Sequence, residues 1–268
     1  MKYAVITGAA GGLAREIINS VKEDYTVFAL DISPSVNEIF NSPASVIPII
    51  CDITDKEEVT RAKTEIEAYT RKIDLVINFA GIVILGSVVE NSEEALKKIL
   101  DVNLIGMYNI NKIFFENILA AKGRIINVSS EYGKLDAVPF HSFYTLSKHA
   151  VEIYSDSLRR EISPFGIKVV KIRPGSFKTD MQKGITAQFD RLVQSTGHFE
   201  KPLFKMKNIM LKELDKAADK NKIVKKFRKA IYSERPKLAY NIHNSFKMKL
   251  LSVLPAKIQD FIFGIYFR

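Results

Sequence analysis

Short apolar runs that alternate with helix-length segments most constrain the fold of this chain. Seven such runs are rich in Val, Ile, Leu and Phe, as expected for strands that are buried on both faces of a sheet. Strands connected through helices form parallel sheets. The sequence therefore predicts an α/β fold, a doubly wound parallel seven-stranded sheet with helices on both faces. The predicted strands are residues 2–6, 25–30, 45–50, 73–81, 125–128, 167–175 and 237–243.

Length and composition are typical of one domain. The 268 residues can bury a large core, and 47% hydrophobic with 26% charged residues is a globular composition. No linker, repeat or low-complexity tract divides the chain, so residues 1–268 are expected to form a single domain. The single cysteine, Cys51, suits a reducing compartment, and the first residues lack the long apolar stretch of a secretory signal. A cytoplasmic location is expected.

Positive charge is concentrated in the last third of the chain. The net charge is +10, and residues 181–268 hold 19 Lys and Arg against 7 Asp and Glu, whereas residues 1–180 hold 21 against 23. The basic part can attract anionic lipid, an anionic substrate or nucleic acid, or it can be an ordinary solvated surface. Because no groove-reading or base-stacking motif accompanies it, a nucleic-acid partner is not expected.

A glycine-rich turn, TGAAGGLA at residues 7–14, joins the first predicted strand to a helix. Glycines at such a turn let the backbone approach a diphosphate, whose charge is stabilised at the helix N-terminus. The second strand ends at Asp31, where a carboxylate can bind both ribose hydroxyls and would repel a 2′-phosphate. No Lys or Arg lies in the turn or directly after Asp31, so the sequence favours NAD over NADP. The predicted cofactor contacts here are Thr7, Gly8, Gly11, Gly12, Leu13 and Asp31.

Polar or small residues also follow the third and fourth predicted strands. Ligands of parallel sheets bind outside the carboxyl ends of the strands, so these residues are candidate cofactor contacts. Asp52 can contact adenine, or it can cap the helix that follows, and the sequence leaves both open. The candidates at these ends are Asp52, Ile53, Asn78, Ala80 and Gly81.

A serine pair, a tyrosine and a lysine lie close together between residues 123 and 148. Ser129 and Ser130 follow a buried strand, and a helix is predicted to open near Tyr144. Tyr144 and Lys148 are four residues apart, so they share one helix face. These groups can polarise a carbonyl and hand it a proton, because a cation beside a phenol favours the phenolate. Each piece alone is common by chance.

Asn103 lies within a long apolar helical pattern, residues 92–122, that predicts one helix or a broken pair. A buried amide there is costly without hydrogen-bond partners. Asn103 is therefore either structural or holds a water near the site.

Together these segments resemble the short-chain dehydrogenase/reductase superfamily over about residues 1–180, and more loosely to the end. The turn is similar to T-G-x-x-x-G-x-G, NFAG to N-N-A-G, and DVNLIG to D-V-N-L-x-G. The serine after I-N-V-S, the Tyr-x-x-x-Lys pair and PGSFKT (P-G-x-x-x-T) complete the resemblance. The turn also fits the spacing of the longer epimerase/dehydratase branch, but chain length, NFAG and PGSFKT favour the short, single-domain branch. The implied fold is of the Rossmann type.

The resemblance implies a catalytic tetrad for hydride transfer between the nicotinamide and a carbinol or carbonyl carbon. In it, Tyr144 is the general acid and base, and Lys148 lowers its pKa and holds the nicotinamide ribose. Ser130 stabilises the carbonyl oxygen, and Asn103 positions a water that relays protons. The implied tetrad is Asn103, Ser130, Tyr144 and Lys148. The resemblance also implies that Thr179 holds the nicotinamide amide. The further cofactor contacts that it implies are Tyr144, Lys148, Pro174, Gly175 and Thr179.

Three features depart from the family pattern. The third glycine of the turn is Ala14, and the second Asn of N-N-A-G is Phe79. The loop before Tyr144 looks one residue longer than usual, which leaves Ser129 as an alternative to Ser130. Both serines follow the strand directly, so this position leaves the choice between them open. We favour Ser130 as the catalytic serine.

Substrate specificity in this family lies after the sixth strand, here in residues 180–222, which mix apolar residues with lysines and are predicted to cover an apolar substrate. Residues 246–268 are apolar, aromatic and interrupted by charges, well short of the ~18 apolar residues of a spanning helix. This tail either packs in the core or an oligomer contact, or lies at a membrane surface. It loosely resembles steroid- and retinol-dehydrogenase-like members.

The expected protein is an NAD-dependent oxidoreductase of a bulky, apolar secondary alcohol or ketone, such as a steroid-, retinoid- or lipid-like compound. The protein is expected to form a homodimer or homotetramer. It is not expected to bind a metal ion. The alternative is a catalytically silent NAD(H)-binding regulatory protein, but such proteins commonly lose the Tyr or the Lys, and both are present.

Overall fold

The computed structural model describes residues 1–41, 44–177 and 180–267, apart from the side chains of residues 180–183. Its strands are β1 (Lys2–Thr7), β2 (Tyr25–Asp31), β3 (Val46–Ile50), β4 (Leu75–Asn78), β5 (Arg124–Val128), β6 (Lys168–Pro174) and β7 (Ala239–Ile242). Its helices are α1 (Gly12–Val21), α2 (Ser35–Ile39), α3 (Lys56–Glu67), α4 (Glu93–Leu100), α5 (Gly106–Ile113), α6 (Phe115–Ala121), α7 (Ser142–Ile162), α8 (Asp180–Ser195), α9 (Glu200–Leu214), α10 (Lys220–Tyr232), α11 (Phe246–Leu251) and α12 (Ala256–Phe267).

The seven strands form one parallel sheet in the order β3-β2-β1-β4-β5-β6-β7. The predicted Rossmann-type fold class is therefore confirmed. The strand order reverses at β1, where Thr7 is paired with Leu30 on one side and Asn78 on the other. In doubly wound sheets ligands bind in the crevice beyond the strand ends at this reversal.

Alternate residues of each central strand enter opposite apolar layers, as the pleat requires. In β1, Ala4 and Ile6 belong to the layer that contains α1 and α10, whereas Val5 belongs to the layer that contains α3, α5 and α6. This two-sided burial explains why the strands are continuous apolar runs rather than alternating ones.

The predicted helix over residues 92–122 is broken. A single π-helical turn, Asp101–Ile105, separates α4 from α5, and Phe114 separates α5 from α6. The helix expected near Tyr144 begins two residues earlier, at Ser142, so Tyr144 and Lys148 both lie in its first two turns.

Residues 180–222 fold mainly into α8 and α9, which pack over the loops that follow β4 and precede α7. Gln188 of α8 donates to the Val83 carbonyl and accepts from the Leu85 backbone N–H. Glu90 accepts from the backbone N–H groups of Gly197 and His198 in the turn before α9. Within the described part of the chain, no helix has the length and apolar character needed to cross a membrane.

Candidate active site

The glycine-rich turn is shaped by close backbone contact with the segment that follows β4. Gly8 has φ +67°, a conformation that favours glycine, and a Cβ there would lie 2.7 Å from the Ala80 nitrogen. Gly11 is the N-cap of α1, so Gly12 and Leu13 open the helix and no side chain caps their N–H groups. Free N–H groups at a helix start form an anion site when a ligand approaches.

Asp31 lies against this turn. One of its carboxylate oxygens accepts a hydrogen bond of 2.9 Å from the Ala10 N–H, and the other accepts one of 2.8 Å from the Ser33 N–H. A carboxylate has about four acceptor positions, so two remain for ribose hydroxyls. The predicted pairing of the turn with the end of β2 is present in the structure.

Thr7 and Asn78 connect the strand ends at the point of reversal. Thr7 Oγ1 accepts from the N–H groups of Phe79 (3.1 Å) and Ala80 (3.2 Å), which holds the NFAG segment beside β1. Asn78 is buried and donates to Asn111 and to Asn127, both at 2.9 Å. Its amide nitrogen therefore braces β4 against β5 and α5.

Asp52 is not a helix cap. Its Oδ1 accepts from both the backbone N–H and the hydroxyl of Thr54, whereas the cap of α3 is Asp55, which accepts from Glu57 and Glu58. That alternative is therefore wrong, and the contact of Asp52 and the buried Ile53 with adenine stays a prediction.

Asn103 lies in the π-helical turn, and its side chain makes three hydrogen bonds to residues outside that turn. Its Nδ2 donates to the Ile82 carbonyl (3.0 Å) and to Ser147 Oγ (2.9 Å), and its Oδ1 accepts from the Ile82 N–H (2.7 Å). Gly81 separates Asn103 from Lys148: a Cβ on Gly81 would lie 3.1 Å from Asn103 Oδ1 and 3.4 Å from Lys148 Nζ. Asn103 Oδ1 and Lys148 Nζ therefore face the same glycine from two sides.

Tyr144, Lys148 and Ser130 are brought together at the end of β5. Lys148 Nζ lies 5.8 Å from the centre of the Tyr144 ring and donates to the Val128 carbonyl at 3.1 Å. The Ser130 side chain lies beside Tyr144, where it lowers the pKa of the phenol. Ser129 lies on the other side, because a Cβ on Gly133 would meet both Ser129 Oγ and Glu152, and this buried hydroxyl has no hydrogen-bond partner among the residues that the structure describes.

Burial sets the protonation of this group. It raises the pKa of Tyr144 to about 12, the nearby Ser130 side chain lowers it, and the charge of Glu131 raises it further. Burial also lowers the pKa of Lys148 to about 8, opposed by the carboxylate of Glu152. Tyr144 is therefore a phenol at neutral pH, although the sequence argument expected Lys148 to favour the phenolate.

Glu152, which the sequence argument did not single out, lies one turn beyond Lys148. It accepts from Nε and Nη2 of Arg173, each at 2.7 Å, and pairs with Lys171 at 3.0 Å. Although burial opposes ionisation, the hydrogen bonds from Arg173 and Lys171 hold the pKa of Glu152 below its usual value. The i, i+4 spacing after Lys148 was the available sequence signal.

An apolar cluster of side chains adjoins Tyr144. The Tyr132 ring is stacked on His141 (5.2 Å, 4°) and meets the Tyr144 ring nearly edge-on (5.8 Å, 66°). Burial lowers the pKa of His141 to about 4, against the backbone contact with Pro139. Sequence reasoning missed Tyr132 and His141 because both lie around a loop without periodicity. The apolar side chains beside them are Leu85, Val138, Phe140, Phe189, Leu203 and Met206.

The remaining predicted contacts follow β6. Pro174 pairs with Ile242 of β7, and the Gly175 N–H donates to the Ile242 carbonyl at 2.8 Å. A side chain at Gly175 would collide with the His243 carbonyl, so this approach needs glycine. Thr179 lies outside the described residues.

Comparison with known proteins agrees with this geometry. The family model described as short chain dehydrogenase matches residues 2–190. Retinol dehydrogenase 16 of Rattus norvegicus is 32% identical over 191 residues, which cover 69% of this chain and 60% of that protein. A 3-ketodihydrosphingosine reductase of Bacteroides thetaiotaomicron is 33% identical over 177 residues, which cover 65% and 64%. The matched region thus spans less than two thirds of the length of either relative.

Solved structures share the fold. A short-chain dehydrogenase/reductase from Burkholderia phymatum in complex with NAD has a TM-score of 0.75 and 19% identity, and the match covers 89% of this chain and 88% of that one. A short-chain dehydrogenase from Burkholderia cenocepacia in complex with NADP has a TM-score of 0.71 and 22% identity, and the match covers 97% of both chains. Both nicotinamide dinucleotides therefore occur among proteins of this fold.

Proposed function

Because the chain belongs to the short-chain dehydrogenase/reductase family, we propose that it is an oxidoreductase acting between a nicotinamide dinucleotide and a secondary alcohol or ketone. The observation that carries the proposal is the meeting of Asn103, Ser130, Tyr144 and Lys148 at the carboxyl end of the sheet, beside the glycine-rich turn. We propose further that residues 1–268 act as one nucleotide-binding domain.

Each residue of the tetrad has its own role in the proposed reaction. Ser130 and Tyr144 bind that oxygen, and Tyr144 transfers the proton to or from it. The bound nicotinamide supplies or accepts the hydride. Lys148 holds the ribose hydroxyls, and Asn103 Oδ1 retains a second lone pair that can hold a relay water next to Lys148.

Tyr144 serves the proton transfer in both directions of the reaction. Reduction of a ketone consumes one proton, and burial, which raises the pKa of Tyr144 to about 12, keeps that proton on the phenol. In oxidation the same group acts as the base and receives the proton.

We propose NAD(H) as the preferred cofactor. Asp31 supports this preference, because its carboxylate lies between the turn and the end of β2, where it can accept from ribose hydroxyls and repels a 2′-phosphate. Tyr144 and Lys148, with the strand-end residues described above, complete the proposed contacts.

The substrate is proposed to be bulky and apolar. The cluster beside Tyr144 consists of aliphatic and aromatic side chains from the loops around the tetrad and from α8 and α9. Two relatives carry names that refer to retinol and to 3-ketodihydrosphingosine, both with long apolar parts. These names support a steroid-, retinoid- or lipid-like substrate.

A homodimer or homotetramer is proposed from an apolar face on α7 and its neighbours. Ile153 is 70% exposed, and Leu146, Tyr108 and Ile105 are also exposed. Aliphatic side chains at helical spacing on a charged protein mark an interface when they form one patch.

A peripheral membrane contact is proposed for the tail. On α11 and α12, Phe246 is 77% and Phe261 67% exposed, and lysines such as Lys247 and Lys257 lie among these apolar residues. Apolar side chains with interspersed lysines suit the surface of an anionic membrane. The free, buried Cys51 supports the proposed cytoplasmic location.

A silent regulatory protein that binds NAD(H) is the alternative, and one assay separates the two. Apolar alcohols and ketones are tested with NAD(H) and NADP(H) by nicotinamide absorbance, and cofactor affinity is measured on the same preparation. Turnover of at least one compound, absent in Tyr144→Phe, supports the enzyme. Tight cofactor binding without turnover of a broad panel favours the regulator.

A further inference from the structure

Lys220, the first residue of α10, lies over the glycine-rich turn. A Cβ built on Gly12 would lie 3.9 Å from Lys220 Nζ and 4.0 Å from Arg15 Nη2. Gly12 is the position at which a missing side chain lets the backbone approach a diphosphate in this kind of turn. Two cationic groups thus border the space that the glycine leaves open.

The present partner of Lys220 is weak. Its Nζ lies 3.4 Å from Glu16 Oε1, and the two side chains are 39% and 43% exposed. An exposed pair of this kind contributes little because water screens both charges. Lys220 can therefore leave Glu16 for a stronger anion at small cost.

The backbone of Lys220 is held firmly. Asp219 caps α10 by accepting from the Asn221 N–H at 2.7 Å. Further along the helix, Phe227 is fully buried and its ring is stacked on Phe79 of the NFAG segment (5.4 Å, 15°). The aromatic residue that replaces the second Asn of N-N-A-G thus joins α10 to the cofactor side of the sheet, and this contact fixes the point from which Lys220 extends.

We propose that Lys220, together with Arg15, binds the diphosphate of the dinucleotide. The two positive charges balance the two negative charges of the diphosphate, and the N–H groups that open α1 supply the remaining donors. This inference rests on the proposed function. It adds a cofactor-binding residue from beyond residues 2–190, the part of the chain that matches the family model.

The test is cofactor affinity, measured by calorimetry or NADH fluorescence on the full-length protein. In Lys220→Gln the Kd for NADH rises about 5- to 20-fold, the effect of losing a partly exposed charge-assisted hydrogen bond. Lys220→Arg stays within about twofold of the wild type because it keeps the charge. The matched control is Lys222→Gln, which removes the same charge from an exposed position two residues along α10. Glu16→Gln shifts the Kd in the opposite direction, because Lys220 loses its competing partner.

Fragments locate the contact. The Kd for ADP-ribose rises with that for NADH in Lys220→Gln, whereas that for adenosine, which lacks phosphate, is unchanged. An unchanged Kd for NADH, or a loss seen equally with adenosine, overturns the inference. A loss confined to NADPH also overturns it, because Lys220 then binds the 2′-phosphate. If the wild-type protein binds no dinucleotide, the proposed function itself fails, a result distinct from normal wild-type binding with an unaffected Lys220→Gln.

Discussion

The Ser130 side chain lies beside Tyr144 and lowers the pKa of the phenol, against the effect of burial. The adjacent Ser129 belongs to a different group of side chains, because its buried hydroxyl lies next to Gly133 and Glu152. Successive residues at a strand end point to opposite sides. Only one of the two serines can therefore share a substrate oxygen with Tyr144.

Ser130→Ala is expected to lower kcat by at least about tenfold more than Ser129→Ala. Loss of a group that stabilises the reacting oxygen costs about 10²- to 10³-fold in comparable sites. Steady-state kinetics of both variants with the same ketone checks this. A larger loss in Ser129→Ala contradicts the assignment, and an unchanged melting temperature in each variant excludes a folding effect.

Tyr144→Phe is expected to bind NADH with wild-type affinity and to lose at least ~10²-fold in turnover, because it removes the proton donor. Its control is Tyr154→Phe on the same helix, whose hydroxyl accepts from Asn111 rather than facing the tetrad. Turnover and cofactor titration are measured together. Near-normal turnover in Tyr144→Phe rules out the proposed mechanism.

Cofactor preference is expected to follow Asp31. The wild type should show a higher kcat/KM with NADH than with NADPH, and Asp31→Ser should narrow the difference, chiefly through weaker NADH binding. Asp31→Asn is measured beside it, since it removes the charge and keeps one acceptor oxygen for either the Ala10 or the Ser33 N–H group. A wild-type preference for NADPH would show that a cation compensates the Asp31 carboxylate.

Acid sensitivity is expected from His141, whose pKa burial lowers to about 4. In the unfolded chain its pKa is near 6.5, so between these values the unfolded state binds more protons. Above about pH 6.5 His141 is neutral in both states and its full contribution to the free energy of unfolding is present. As the pH falls from about 6.5 toward 4, that free energy decreases by about 1.4 kcal/mol per pH unit. Urea unfolding at pH 7.5 and 5.0 should show that His141→Gln loses about 2 kcal/mol less than the wild type over this interval.

The control for this experiment is His149→Gln, because His149 lies on the exposed side of α7. Carboxylates elsewhere contribute the same pH dependence to all three proteins. Equal losses in His141→Gln and in the wild type would contradict the prediction.

The tail is expected to bind anionic vesicles and not neutral ones. Each lysine near such a surface contributes about 1 kcal/mol, and salt weakens the effect because the Debye length is ~8 Å at physiological ionic strength. Deletion of residues 246–268 should abolish co-sedimentation. Since Glu131 accepts from the Ser245 N–H, the deletion also risks the site, so a variant with Lys247, Lys249 and Lys257 changed to Gln is measured beside it. If the full-length protein does not co-sediment with anionic vesicles, the prediction is wrong, and the tail is then part of the core or of an oligomer contact.

Features that depend on local sequence were predictable. The parallel sheet follows from apolar runs whose lengths and intervals match strands and crossover helices. The glycine-rich turn, Asp31 and the Tyr144–Lys148 pair follow from spacings of a few residues around a strand end or along a helix face. Each of these features depends on residues that are close together in the chain, so it can be predicted without knowing which distant segments come into contact.

What the tertiary structure decided depends on contacts between distant segments. The side to which each serine points is seen only in the packed structure. The hydrogen bonds of Asn103 likewise join it to Ile82 and Ser147, which lie 21 and 44 residues away in the chain. Burial sets the pKa of Tyr144, and burial is a property of the packed chain. The approach of Lys220 to Gly12 joins residues more than 200 positions apart. Sequence periodicity carries the local preferences, whereas the partner of a charged side chain is fixed only when the sheet and its helices have packed.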